Sequence, residues 1–240
     1  MTRFLASVRN LSEAEIVLAS GADIIDLKEP ADGALGAVHI PTLKQVVRYV
    51  AGRSPVSATI GDLPMDAEVV RRAVSERIEA GADYVKIGLF PGGDLAGTLL
   101  ALRREGGNGD ALVAVLFADL DPQLSLLPIL AESGFGGVML DTARKQSGNL
   151  SDHVSRVFLL DFVERGHELG MFCGLAGSLH RDDVPRLLPL KPDYLGFRGA
   201  LCREGRASTI DAILTREVCA LVKRDEFNVR QGCSLGRRRI

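Results

Sequence analysis

Two lysines in this chain stand where a lysine needs a reason. Of its 29 basic residues, 23 are arginine and six are lysine: Lys28, Lys44, Lys86, Lys145, Lys191 and Lys223. A chain that uses arginine so freely for surface charge has little call on lysine there. Yet Lys28 closes the apolar run Ile24-Ile-Asp-Leu-Lys28, and Lys86 lies inside Tyr84-Val-Lys-Ile-Gly88. Lys145 follows Gly137-Val-Met-Leu-Asp141 by four residues. Carboxylates travel with them: Asp26, two residues before Lys28, and Asp141. A lysine amine attacks a carbonyl only when neutral, and its ordinary pKa of ~10.4 keeps it charged. Burial and a second cation nearby both lower that value, which is how Schiff-base lysines are activated. Lys28 is the candidate nucleophile, with Lys86 and Lys145 as neighbouring cations. Asp26 and Asp141 would orient the ammonium groups and carry protons. The chemistry that fits is carbonyl chemistry through an imine. An internal ion-pair network would use the same residue types, so the end of the fold on which they sit decides between the two.

The elements that must position these groups are legible as an alternation. Short apolar runs begin near Phe4, Ile24, Val56, Tyr84, Leu112, Gly137, Met171 and Tyr194. From Phe4 to Tyr194 is 190 residues over seven intervals, about 27 per unit, the size of a βα repeat. Most runs are apolar throughout, as strands buried on both faces of a parallel sheet should be. Helical patterns lie between them. Ser12-Glu-Ala-Glu15 has the capping-box form, and Asp66 is placed to cap the helix through Val69, Val70, Ala73, Val74 and Ile78. Gly21-Ala-Asp23 and Gly81-Ala-Asp83 each close a helix and open a strand, with Gly134 repeating the arrangement. The last helix is expected over Arg206 to Lys223. Eight such units read as a single-domain (β/α)8 barrel over residues 1–223, followed by a polar tail over 224–240. A doubly wound open sheet is the alternative. Its glycine-rich turn after the first strand is missing, since that turn is Arg9-Asn10-Leu11.

A barrel carries its active site at the C-terminal ends of its strands. Lys28, Lys86 and Asp141 fall at those ends, all on even-numbered strands. Alternate strands contribute side chains to a common interior layer, so the three can meet near the mouth. That placement favours chemistry over a structural network. A second constellation follows strands 7 and 8: Cys173-Gly174-Leu-Ala-Gly177-Ser178 and Gly196-Phe-Arg198-Gly199. Loops in these positions often hold a phosphate with backbone N–H groups. Gly174, Gly177, Ser178 and Gly199 would form that cradle, and Arg198 would add a bidentate contact. Gly33 and Gly36 give the loop after strand 2 freedom to close over a substrate.

Composition narrows the field. The net charge of -2 and 46% hydrophobic content argue against a nucleic-acid partner, a polybasic membrane protein or disorder. No apolar run is long enough to span a bilayer, and no secretory leader is visible, so a cytoplasmic enzyme is expected. The four cysteines and four histidines show no ligand spacing, so no metal is expected. Cys173 reads as core, His39 as a helix-start residue and His180 as a surface residue beside the phosphate loop. No dinucleotide fingerprint or P-loop is present, so no cofactor is expected.

The run Asp26-Leu-Lys-Glu-Pro-Ala-Asp-Gly-Ala-Leu-Gly36, with Tyr84-Val-Lys-Ile-Gly88 and Asp141-Thr-Ala-Arg-Lys145, resembles the (5-formylfuran-3-yl)methyl phosphate synthases. These are also called 4-(hydroxymethyl)-2-furancarboxaldehyde-phosphate synthases, of methanofuran biosynthesis. The resemblance extends from the first strand to Gly196-Phe-Arg-Gly199. It implies a (β/α)8 barrel lyase that joins two molecules of glyceraldehyde 3-phosphate, releasing phosphate and water. It also implies that Lys28 is the Schiff-base lysine, Lys86 the proton acceptor, and Asp26, Asp141 and Lys145 the supporting polar residues. The expected partner is therefore a small phosphorylated triose, and the enzyme is expected to be a homo-oligomer. A Schiff-base aldolase acting on another sugar phosphate would use the same lysines. A non-catalytic phosphate-binding barrel would keep the cradle and lack turnover.

Overall fold

All eight apolar runs become strands. The computed structural model describes residues 1–104 and 111–223; the expected polar tail, 224–240, lies outside the described residues. The strands are β1 (Arg3–Val8), β2 (Ile24–Leu27), β3 (Val56–Thr59), β4 (Tyr84–Gly88), β5 (Leu112–Phe117), β6 (Gly137–Asp141), β7 (Phe172–Leu175) and β8 (Tyr194–Phe197). Each pairs in parallel with the next, and β8 returns to β1, closing a barrel. That closure excludes the open doubly wound sheet. Outside it run α1 (Leu11–Ala19), α2 (Ile40–Val50), α3 (Ala67–Glu79), α4 (Leu95–Arg104), α5 (Leu126–Glu132), α6 (Leu150–His153), α7 (Arg156–Glu168), α8 (Val184–Leu187) and α9 (Ala212–Lys223).

Local chemistry sets the boundaries. Asp66 caps α3 as expected, accepting the Val69 N–H. The cap of α1 is Asn10 rather than Ser12, accepting the Glu13 N–H at 3.0 Å. Glu13, not Glu15, turns back to the Arg9 N–H. Asparagine caps at least as well as serine, and starting at Leu11 places Ala14 and Val17 against the barrel. His39 stands at the start of α2, ahead of Pro41. The last helix begins at Ala212, not Arg206; residues 199–211 form a folded loop tied by a bridge between Cys202 and Ile210.

The Gly-Ala-Asp repeats do more than end helices. Gly21 and Gly81 take the left-handed backbone that lets the chain turn into β2 and β4. The aspartate that follows then binds the neighbouring strand: Asp23 accepts the Phe4 N–H at 2.8 Å and Asp83 the Val56 N–H at 2.7 Å. Asp193, ahead of β8, accepts the Cys173 N–H at 2.6 Å. Three carboxylates thus fasten β1, β3 and β7 at the N-terminal rim.

The barrel interior changes character along its axis. Toward the N-terminal rim it is apolar, filled by Leu5, Ile24, Val113, Met139 and Tyr194, with Tyr84 and Phe172 packed beside them. Two glycines make room for the rings: a Cβ on Gly137 would lie 2.3 Å from Phe172, and one on Gly174 would lie 2.1 Å from Tyr194. Above this floor the register places Ser7, Asp26 and Ser57 side by side on β1, β2 and β3. From there to the mouth polar groups share the interior with Val115, Phe117, Leu35 and Ala176.

Candidate active site

Asp26 is completely buried and fully occupied. Ser57 donates to one carboxylate oxygen at 2.7 Å, Ser7 donates to the other at 2.8 Å, and Lys86 Nζ lies 2.6 Å from that second oxygen. Burial would raise the Asp26 carboxyl, but Lys86, Lys28 and the Ser57 hydroxyl outweigh it and hold it below its ordinary value. Burial pushes the Lys86 amine down, opposed by Asp26 and reinforced by Lys28. This pair forms the lower tier.

The upper tier is centred on Asp141, the last residue of β6. Lys28 Nζ lies 3.5 Å from Asp141 Oδ2, and Lys145 binds Oδ1. Burial works to raise the Asp141 carboxyl, but the two ammonium groups hold it far below the usual carboxylate range. Lys145, desolvated and facing Lys28, is lowered to about 8 despite Asp141. The sequence-based grouping of Lys28, Lys86, Asp26, Asp141 and Lys145 is therefore a physical cluster, in two tiers rather than one layer.

Only part of it is open. A cavity of about 270 Å³ at the C-terminal mouth is lined by Lys28, Asp141, Lys145, the 176–180 loop and the 196–200 loop. Lys86 and Asp26 lie beneath and do not line it. Lys28 and Lys145 are thus the amines of the cluster that line the cavity, and Lys86 is not.

The loops that carry these lysines are pinned by carboxylates from the odd strands. Asp62, after β3, accepts the N–H groups of Ala34 at 2.8 Å and Leu35 at 2.7 Å. Asp119, after β5, accepts those of Ala143 and Arg144, both at 2.7 Å. The first holds the loop after β2 and the second the loop that delivers Lys145. Gly33 and Gly36 serve this close packing: a Cβ on Gly33 would lie 2.2 Å from Asp62, and one on Gly36 2.3 Å from the Glu29 carbonyl.

The expected phosphate residues divide. Gly177, Ser178, Arg198 and Gly199 line the cavity. Gly177 and Ser178 both adopt positive φ, 110° and 49°, an unusual conformation for serine. Among the described residues, the backbone N–H groups of Gly177, Ser178, Leu179, Gly199 and Ala200 meet no acceptor in the protein. Gly174 is different. It lies within β7, and its missing side chain is replaced by the Tyr194 ring, so its glycine is a packing requirement. Arg198 is also not the expected anion ligand. Its guanidinium donates to Glu13 twice, to the Ser7, Arg206 and Ser208 carbonyls, and so commits all its N–H groups inside the protein. The sequence missed Arg206, which does line the cavity. Its place inside an expected helix hid it; the glycine at Gly205 was the available signal for a loop.

Away from the mouth, Cys173 is buried as expected, and burial pushes its thiol up to about 12. His180 is exposed at the cavity edge. Among the described residues no helix is long and apolar enough to cross a membrane. One group, His167, Cys173 and Asp193, brings three metal-capable atoms together. It sits at the opposite rim, and Asp193 there already binds His167 at 2.8 Å and the Cys173 N–H.

Fold and site together define a (β/α)8 barrel with a buried lysine–aspartate cluster at the C-terminal ends of its strands. Solved structures share the architecture. Phosphoribosyl anthranilate isomerase from Thermus thermophilus aligns with TM-score 0.66 at 16% identity, covering 93% of this chain and 99% of that one. A 3-hexulose-6-phosphate synthase aligns at 0.63 and 17% identity, covering 91% and 99%. At such identities the likeness concerns the fold alone. Sequence relatives are more specific. The (5-formylfuran-3-yl)methyl phosphate synthase of Methanocaldococcus jannaschii is 33% identical over 233 residues, 91% of this chain and 99% of that protein. A Methylorubrum extorquens protein, provisionally given the same name, is 39% identical over 201 residues, 84% and 83% of the two chains. The model of the 4-HFC-P synthase family matches residues 4–219. The chain belongs to the 4-HFC-P synthase family.

Proposed function

We propose that this barrel condenses two molecules of glyceraldehyde 3-phosphate to (5-formylfuran-3-yl)methyl phosphate, with loss of phosphate and water, through an imine on Lys28. The product serves the biosynthesis of methanofuran or an analogue. The observation that carries the reading is the Lys28 amine, open to the mouth cavity and 3.5 Å from Asp141.

The Lys28 nitrogen attacks the aldehyde carbon, and the carbonyl oxygen leaves as water. The resulting imine acidifies the adjacent C–H. Loss of that proton gives an enamine, whose carbon forms the bond to the second aldehyde or expels phosphate from the next carbon along. Lys86, its amine pushed down by burial, supports proton acceptance from below. Lys145, lowered to about 8, still carries a proton to donate at neutral pH. The N–H groups of the loops after β7 and β8 suit a phosphate.

The test is incubation of the purified protein with glyceraldehyde 3-phosphate alone, following furan-aldehyde absorbance and inorganic phosphate. Both should appear together and both should vanish in Lys28→Ala. A borohydride-stable adduct without furan would replace this reading with a Schiff-base aldolase. Neither signal from folded protein would leave a phosphate-binding barrel.

A further inference from the structure

The cavity lacks a free guanidinium from Arg198, since Glu13 and three carbonyls occupy it. What Arg198 does instead is hold the loop that follows β8. Its Nε donates to the Arg206 carbonyl at 2.8 Å and its Nη2 to the Ser208 carbonyl at 2.8 Å. The Cys202–Ile210 bridge closes the same loop. The backbone of residue 206 is therefore fixed from below, and its side chain lines the mouth cavity.

Arg206 is only partly exposed. Among the described residues its side chain makes one hydrogen bond, from Nη2 to the Gly33 carbonyl at 3.2 Å. A guanidinium has five N–H donors in a rigid fork, so most of this one remains available. No carboxylate lies within salt-bridge distance of it among the described residues, in contrast to Arg9, Arg181, Arg198 and Arg203. The same cavity holds the unpaired N–H groups of residues 177–179 and 199–200. A half-buried cation with free donors thus shares one cavity with backbone N–H groups that also lack acceptors, a combination that suits a bound anion.

We propose that Arg206 is the substrate-binding guanidinium of this site, gripping the phosphate monoester that the loops after β7 and β8 cradle, while Arg198 serves only to position it. This rests on the reading of the substrate as a phosphorylated triose.

The test uses inorganic phosphate as ligand and calorimetry as readout, on the wild type, Arg206→Ala and Arg206→Lys. Loss of a charge-assisted fork should weaken phosphate binding about 10- to 100-fold in the alanine variant, with partial recovery by lysine. Arg203→Ala, on the exposed side of the loop, should bind as the wild type. Unchanged affinity in Arg206→Ala overturns the proposal. Borohydride trapping then separates recognition from loop structure. In Arg206→Ala, trapping of glyceraldehyde 3-phosphate should fall while trapping of unphosphorylated glyceraldehyde holds. An equal fall in both would assign Arg206 a structural role and overturn the proposal. If the wild type traps neither aldehyde but loses phosphate affinity with Arg206, the proposed function fails and this inference stands.

Discussion

Asp26→Asn is the sharpest perturbation of the lower tier. Asparagine keeps the shape and can still meet Ser7 and Ser57, but it removes the charge 2.6 Å from Lys86 Nζ. Both partners are buried, Asp26 completely. Stripping one partner from a buried pair costs ~3–5 kcal/mol, and here the loss has a ceiling. Lys86 escapes by releasing its proton. From the ordinary lysine value of 10.5 down to neutral pH, that costs about 5 kcal/mol at ~1.36 kcal/mol per unit. The sign with pH follows. A lysine whose folded pKa is depressed binds fewer protons folded than unfolded, so its penalty is complete below the folded value and vanishes above the unfolded one. Burial already depresses Lys86 in the wild type, so the deficit of Asp26→Asn should shrink by up to ~1.4 kcal/mol per pH unit from neutrality up to that depressed value, below 10.5, and level off above it. Urea unfolding across that range measures it. Adding Lys86→Met removes the stranded charge and should restore most of the loss, a coupling of several kcal/mol. A pH-independent deficit, or a double variant whose deficit is the sum of the singles, would refute the reasoning.

Three further outcomes are expected. Lys145, lowered to about 8, is an ammonium below that pH and neutral above it, so kcat should fall about tenfold per unit above pH ~8. In Lys145→Arg the basic limb should disappear from whatever turnover remains. Gly174→Ala drives a Cβ to 2.1 Å from Tyr194 and should cost about 3 kcal/mol or more. Tyr194→Leu should relieve much of that, and the folded variant should bind phosphate as the wild type does. Asp119→Asn weakens the hold on the Ala143 and Arg144 N–H groups and should lower stability by only ~1–3 kcal/mol. Because that loop delivers Lys145, kcat should drop further than KM changes, as kinetics against glyceraldehyde 3-phosphate would report.

The barrel was legible because parallel strands buried on both faces leave unbroken apolar runs at a βα spacing. Lys28 and Lys86 stood out for the same reason, since charge inside such a run has a price that surface charge does not. The even-strand rule brought Asp141 to Lys28, at 3.5 Å, while Lys86 joined Asp26 in the tier beneath instead of sharing their layer. What stayed hidden depends on contacts between distant segments. Glycine in Gly174 looks the same whether it admits a phosphate or the Tyr194 ring. Arg198 and Arg206 differ only in which meets Glu13, a residue nearly 200 positions away in the chain. Asn10 replaced Ser12 as a cap because the helix starts where Ala14 and Val17 reach the barrel. The split into two tiers follows from Ser7 and Ser57 flanking Asp26, a register that no single run displays.

The most direct measurement is peptide mapping after borohydride reduction of the protein incubated with glyceraldehyde 3-phosphate. The account predicts one adduct, on the peptide carrying Lys28, lost in Lys28→Ala with the fold intact. An adduct on Lys145 or Lys86 instead, or trapping that survives Lys28→Ala, would contradict it.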